Sequence, residues 1–158
     1  MDTVIKKDKE IFEVRNEQIE VESEFRFDVE TGKKVSDNYL DNFAIQKAFE
    51  VYRKKHDIIS KEDIVHTRNK YELSQRAFAI LSGIGVATIA RYETGQIPTN
   101  ANNELLKMIK NDFRSVQKLF EQNGSGLTKK DYDKLREKLR ILTKENASAE
   151  VVEFVERR

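Results

Sequence analysis

The sequence predicts a mainly α-helical fold: a helix-turn-helix bundle, preceded by a small N-terminal β hairpin and followed by C-terminal helices. Three observations point there. Apolar residues alternate from Ile11 to Phe27 but recur at helical spacing from Leu40 onward. Charged residues make up 36% of the 158 and proline occurs once, which disfavours a β-sandwich. Finally, Leu73 to Gly95 carries a cap, a small residue, a turn glycine and a helix end in register.

Taken in order, Ile11–Arg15, Ile19–Glu22 and Phe25–Phe27 read as strands, with Arg15–Gln18 as a hairpin turn and Glu30–Lys33 as a second turn. This element, residues 1–38, is too short to hold much core unaided. A helix is expected from Tyr39 or Leu40 to about Lys55, with Leu40, Phe43, Ala44, Ala48, Val51 and Tyr52 on one stripe. Together with the helices up to residue 122 it is assigned to one domain, 39–122. Ser60–Asp63 looks like a cap with an acidic first turn, opening a helix to Lys70. After the two central helices, Thr99 or Asn100 to Lys110 carries Leu105, Leu106 and Ile109. A short helix with Phe113, Val116, Leu119 and Phe120 follows. Gln122–Gly126 reads as a break, either a flexible linker or a loop with two helix-ending glycines. Beyond it, residues 127–158 form an appendage. One helix is capped by Thr128 and runs to about Lys144, with Tyr132, Leu135, Leu139 and Leu142 inward. A last helix spans about Ala149 to Glu156, with Val151, Val152, Phe154 and Val155. The leucine strip suits either packing within the domain or a dimer contact.

Composition narrows the function. No apolar run approaches a membrane span, and the first residues lack the apolar centre of a signal peptide. With no cysteine there is neither a disulfide nor a thiolate metal site, so a cytoplasmic location is expected. The net charge is +1, but residues 1–40 hold 7 Lys/Arg against 11 Asp/Glu, leaving 22 against 17 in the remainder. Phosphate contacts depend on local charge, so this distribution fits a specific, salt-sensitive reader better than a nucleic-acid coat.

The central segment is the informative one. Ser74 can cap a helix by accepting from an unpaired backbone N–H. Ala79 keeps the two helices close, and Gly83 suits the turn between them. Ile84, Ile89 and Tyr92 are expected inward. Val86, Ala87, Thr88 and Arg91 are then candidates for contact with DNA bases. Arg91 can reach guanine O6 and N7, while Val86, Ala87 and the Thr88 methyl make apolar contact. Ser74, Gln75 and Arg76, near the start of the first helix, are candidates for phosphate contact. Gly95 and Pro98 end the motif. The bland alternative is an ordinary two-helix hairpin.

In Tyr52-Arg53, Arg68–Gln75, the Gly83-Ile84-Gly85 turn and Ala90–Gly95, the chain resembles the MqsA-type antitoxins and the regulatory domains that accompany Panacea-type antitoxins. The resemblance covers roughly residues 11–120. It implies an Xre-like DNA-binding domain that dimerises and represses at a palindromic operator, usually its own promoter. It further implies a base-reading role for Arg91. The other base-reading position falls on Ala87, which has no polar side chain, so a different operator is expected. The family's N-terminal module normally binds zinc through two Cys-x-x-Cys pairs, the second of which would fall near Phe27–Gly32. All four cysteines are missing, and His56 and His66 lie apart on expected helices. No metal and no cofactor are therefore expected.

No P-loop, dinucleotide fingerprint, nucleophile elbow or zinc-protease motif occurs, so an enzyme is not expected. Two readings remain. The chain is a homodimeric repressor of antitoxin-like character that binds double-stranded DNA. Alternatively it is a dual-function protein of a mobile element whose N- or C-terminal segment binds and inhibits a toxin or a host defence enzyme. Exposed apolar residues on the hairpin would favour the second.

Overall fold

A computed structural model describes the backbone of residues 1–156 and the side chains of residues 1–149. The protein is mainly helical with an antiparallel sheet at its N-terminus, and it divides into two compact units, Met1–Ser60 and Lys61–Arg158.

The first unit is built on two strands of equal length, β1 (Thr3–Val14) and β2 (Glu17–Asp28). They pair without a register break, from Thr3 opposite Asp28 to Val14 opposite Glu17. Arg15 and Asn16 form the connecting turn with φ of 49° and 66°, the left-handed pair that two-residue hairpins with twisted strands require. The hairpin is thus longer than the alternation of Ile11–Phe27 suggests. Lys6 to Lys9 belong to the strand although no apolar residue marks it there. A short third strand, β3 (Lys34–Val35), pairs with β2, so the order is β1-β2-β3 and β1 lies at an edge.

Helix α1 (Asn38–His56) packs on β2. Its N-cap is Asp37, whose carboxylate accepts from the Leu40 amide at 3.0 Å. Ile19, Val21, Phe25 and Phe27 of β2 are buried, and Ala44 of α1 joins Phe25 and Phe27 in one cluster with Phe12 against it. The sequence-based boundary at residue 39 is therefore corrected. The helix expected within 39–122 belongs with the hairpin, because its small face (Ala44, Ala48) meets the apolar face of β2.

The second unit holds α2 (Lys61–Lys70), α3 (Gln75–Ser82), α4 (Val86–Glu93), α5 (Asn100–Asn111), α6 (Phe113–Asn123) and α7 (Lys129–Glu156). Its core contains Ile64, Phe78, Leu81, Ile89, Tyr92, Leu106, Ile109 and Val116. Two C-terminal expectations are corrected. Gly124–Gly126 is not a linker but a 3₁₀ turn packed on α3 and α6. Gly124 is buried, and a Cβ on Gly126 would come within 3.1 Å of Ile80 Cγ2. The two expected final helices are one, α7, and Leu135 and Leu139 are buried within this unit, so the described part of the expected appendage, residues 127–156, belongs to it. The side chains of Val151, Val152, Phe154 and Val155 lie outside the described residues. Among the described residues no helix is long and apolar enough to cross a membrane.

Candidate nucleic-acid interface

Helices α3 and α4 are each eight residues long and strongly amphipathic in pattern. Such short helices depend on tertiary packing and on their caps. Ser74 supplies the cap for α3, its hydroxyl accepting from the Ala77 amide at 3.0 Å. Gly83 ends α3 at φ 78°, a left-handed conformation that a residue with a Cβ adopts only with strain. The Ser82 hydroxyl then accepts from the Ile84 amide at 3.2 Å, and α4 starts after Gly85 without a side-chain cap. Its first amides therefore make no side-chain cap bond.

The inward face of α4 is set as the spacing predicts: Ile84, Ile89 and Tyr92 are buried. The Tyr92 hydroxyl accepts from the Asn102 side chain at 2.8 Å, which satisfies the one polar atom this face carries inward. On the other face Val86, Ala87 and Arg91 are exposed, and Thr88 is half-buried. Arg91 Nη2 donates to Thr88 Oγ1 at 3.2 Å, so the guanidinium lies along the exposed face one turn from Thr88. All four expected base-contacting residues thus share one outer surface.

The three expected phosphate-contacting residues divide. Arg76 is exposed. Ser74 is exposed but its oxygen already serves the cap, which leaves its hydroxyl proton to donate. Gln75 is half-buried and turned toward Glu93, to whose Oε1 its amide donates at 3.3 Å.

Glu93 leads to a feature the residue types alone do not reveal. Its side chain, 6% exposed, receives two bonds from Arg68 of α2: Nε to Oε2 at 2.9 Å and Nη2 to Oε1 at 2.8 Å. Arg68 Nη1 also donates to the Leu73 carbonyl at 2.9 Å, and the Leu73 amide donates back to the Arg68 carbonyl. One guanidinium therefore fixes the turn entering α3 and the last residue of α4. A two-toothed arginine–carboxylate pair holds orientation as well as charge. A sequence separation of 25 hides the pair from any local pattern. The segment Ser74–Gln96 holds Arg76 and Arg91 against Glu93 alone, and Glu93 is neutralised from behind. Its outer surface carries positive charge without an exposed carboxylate.

In the stretch Phe27–Gly32, Phe27 is buried in the apolar cluster, and the turn after it is closed by Gly32 at φ 69°. His56 lies at the end of α1, stacked at 4.2 Å on Tyr52 and within 2.6 Å of Glu17, while His66 is exposed on α2. No family model, curated protein or solved structure matches the chain.

Proposed function

We propose that this protein is a sequence-specific DNA-binding regulator with an Xre-like helix-turn-helix, formed by α3 and α4, that represses from a palindromic operator as a dimer. The observation that carries the reading is the division of α4. Ile89 and Tyr92 anchor one side in the core, while Val86, Ala87, Thr88 and Arg91 occupy the other with no exposed acid among them. A helix so held presents its first turn and one arginine to a groove, and the major groove admits a helix of this kind. Arg76 and the hydroxyl of Ser74 stand at the start of α3, where backbone amides and a helix N-terminus favour phosphate oxygens. Gln75 acts indirectly, by steadying Glu93. The second unit holds 18 Lys/Arg against 14 Asp/Glu, the sign that approach to DNA requires.

The test is selection of bound fragments from random DNA, followed by titration of the winner. A palindrome with half-sites about one helical turn apart, or a multiple of that, supports the reading. Failure to enrich any sequence at low salt overturns it.

An antitoxin-like second role is favoured by one observation: Val4, Ile5 and Ile11 are exposed on the hairpin. Apolar side chains in that position fit a protein contact, with a toxin, a defence enzyme or another copy of the chain.

A further inference from the structure

Strand β1 is an open edge. In a two-residue hairpin the pair that flanks the turn, Val14 and Glu17, is hydrogen-bonded, so the even-numbered residues of β1 bond to β2. The Val29 amide donating to the Asp2 carbonyl at 3.0 Å continues the same alternation past the strand's other end. The N–H and C=O groups of Thr3, Ile5, Lys7, Lys9, Ile11 and Glu13 therefore point away from the sheet. Lys9 bears this out, its amide donating sideways to the Asp8 carboxylate at 2.9 Å. Such a row is a template for another strand, and long uncovered edges are ordinarily blunted. Here Lys6, Lys7 and Lys9 supply charge at the middle of the edge, but the strand runs twelve residues without proline or bulge. Three of its apolar side chains on either side of that charged centre are exposed, Val4 at 41%, Ile5 at 45% and Ile11 at 58%.

We infer that β1 pairs antiparallel with β1 of a second copy of this chain, about a two-fold axis at Asp8, joining the two sheets edge to edge. Symmetry and chemistry together select the register. A two-fold axis normal to the sheet keeps each residue's face, so only residues of equal parity can stand opposite one another. Among those registers, centring on Asp8 sets Ile5 opposite Ile11 and Val4 opposite Phe12, each twice, and Lys6 opposite Glu10, also twice. Shifting the centre to Lys9 sets Ile5 against Glu13 and Lys7 against Ile11. Shifting it to Lys7 sets Ile5 against Lys9 and Val4 against Glu10. Only the Asp8 register matches apolar with apolar on both faces, and such cross-strand pairs are the unit of sheet stability.

Its like-charge pairs are compensated within each copy. Lys7 and Lys9 face each other across the axis, but on β2 they stand beside Glu24 and Glu22. The two central Asp8 carboxylates are each 3.3 Å from Lys34 Nζ. A different protein's strand would have no reason to carry this self-complementary order, so the second copy is the occupant argued for. The contact lies within residues 1–60 and does not depend on the DNA-binding reading.

Sedimentation equilibrium of the full chain is expected to show a dimer in the micromolar range. Lys7→Pro removes an outward amide that the chain's own sheet does not use, so circular dichroism stays unchanged while association weakens roughly tenfold or more. The chain has no cysteine, so Asp8→Cys should cross-link two copies on oxidation, its partners being the close non-hydrogen-bonded pair; Lys6→Cys should not. A chain monomeric across that range, a dimer that Lys7→Pro leaves equally tight, or an Asp8→Cys variant that links no more than Lys6→Cys would each overturn the assignment.

Discussion

Arg91 and Arg68 are separated by 23 positions and have opposite tasks, set by exposure. The Arg91 guanidinium is open to solvent and, among the described residues, hydrogen-bonds Thr88 alone, so its loss removes nothing from the core. Arg91→Ala is expected to weaken binding to the selected operator by about 1–3 kcal/mol and to relax one base position. Chemical stability should move by less than about 0.5 kcal/mol, as for an ordinary surface change. Competition titrations against operator variants decide this, and equal affinities for parent and variant at every position would count against a base-reading arginine. Arg68 is the reverse case. Arg68→Ala leaves the Glu93 carboxylate buried without its counter-charge, and such a break costs about 3 kcal/mol or more. Urea unfolding should report that loss. DNA binding should fall further than the folded fraction does, because the Glu93 charge is then uncompensated and the turn entering α3 loses its tie to Arg68.

At the scale of elements, helix ends carry much of the argument. Ser74→Ala should destabilise the second unit by about 1 kcal/mol, since the Ala77 amide loses its partner, and Ser74→Asn should restore most of it by capping equally well. If Ser74 also meets phosphate, the asparagine variant recovers stability but not the full DNA affinity. Helices α2 to α6 were legible in the sequence because each pairs an apolar period with a capping residue or a glycine stop. What stayed hidden has identifiable causes. The first half of β1 alternates only in its backbone, since Lys6, Lys7, Asp8 and Lys9 supply no apolar rhythm. Gly124 and Gly126 resemble a linker but are small because neighbours approach: a Cβ on Gly124 would meet Phe120 Cδ2 at 3.0 Å. The division of α7 into two helices followed a fading apolar pattern after Leu142, yet residues 127–158 contain neither glycine nor proline to stop a helix. The outer face of α4 was readable from spacing alone, whereas the inward turn of Gln75 required Glu93, a contact distant in sequence.

On the scale of the whole chain, the two units differ in how they are held and so in how acid should affect them. Among the described residues, carboxylates with depressed pKa values concentrate in residues 1–60. Asp37 is held below its ordinary 3.8, first by the Leu40 amide at the start of α1 and then by Arg26, whose Nε donates at 2.9 Å. Glu17 is lowered by hydrogen bonds from Lys55 and His56, and Asp8 by the Lys9 amide and then Lys34. In the second unit Glu137 is lowered by Arg140, an exposed neighbour on the same helix whose loss would leave the packing intact. A group whose folded pKa lies below its unfolded value stabilises the fold above the unfolded value and stops doing so as pH falls through the folded one. The stability of residues 1–60 should therefore drop between pH 5 and pH 2 more steeply than that of residues 61–156. Urea titrations followed by backbone amide NMR resolve the two units, and parallel loss in both would refute the assignment of acid sensitivity to the first. Asp37→Asn provides the internal control: asparagine still caps α1 but cannot titrate, so part of the slope should vanish from the first unit and none from the second.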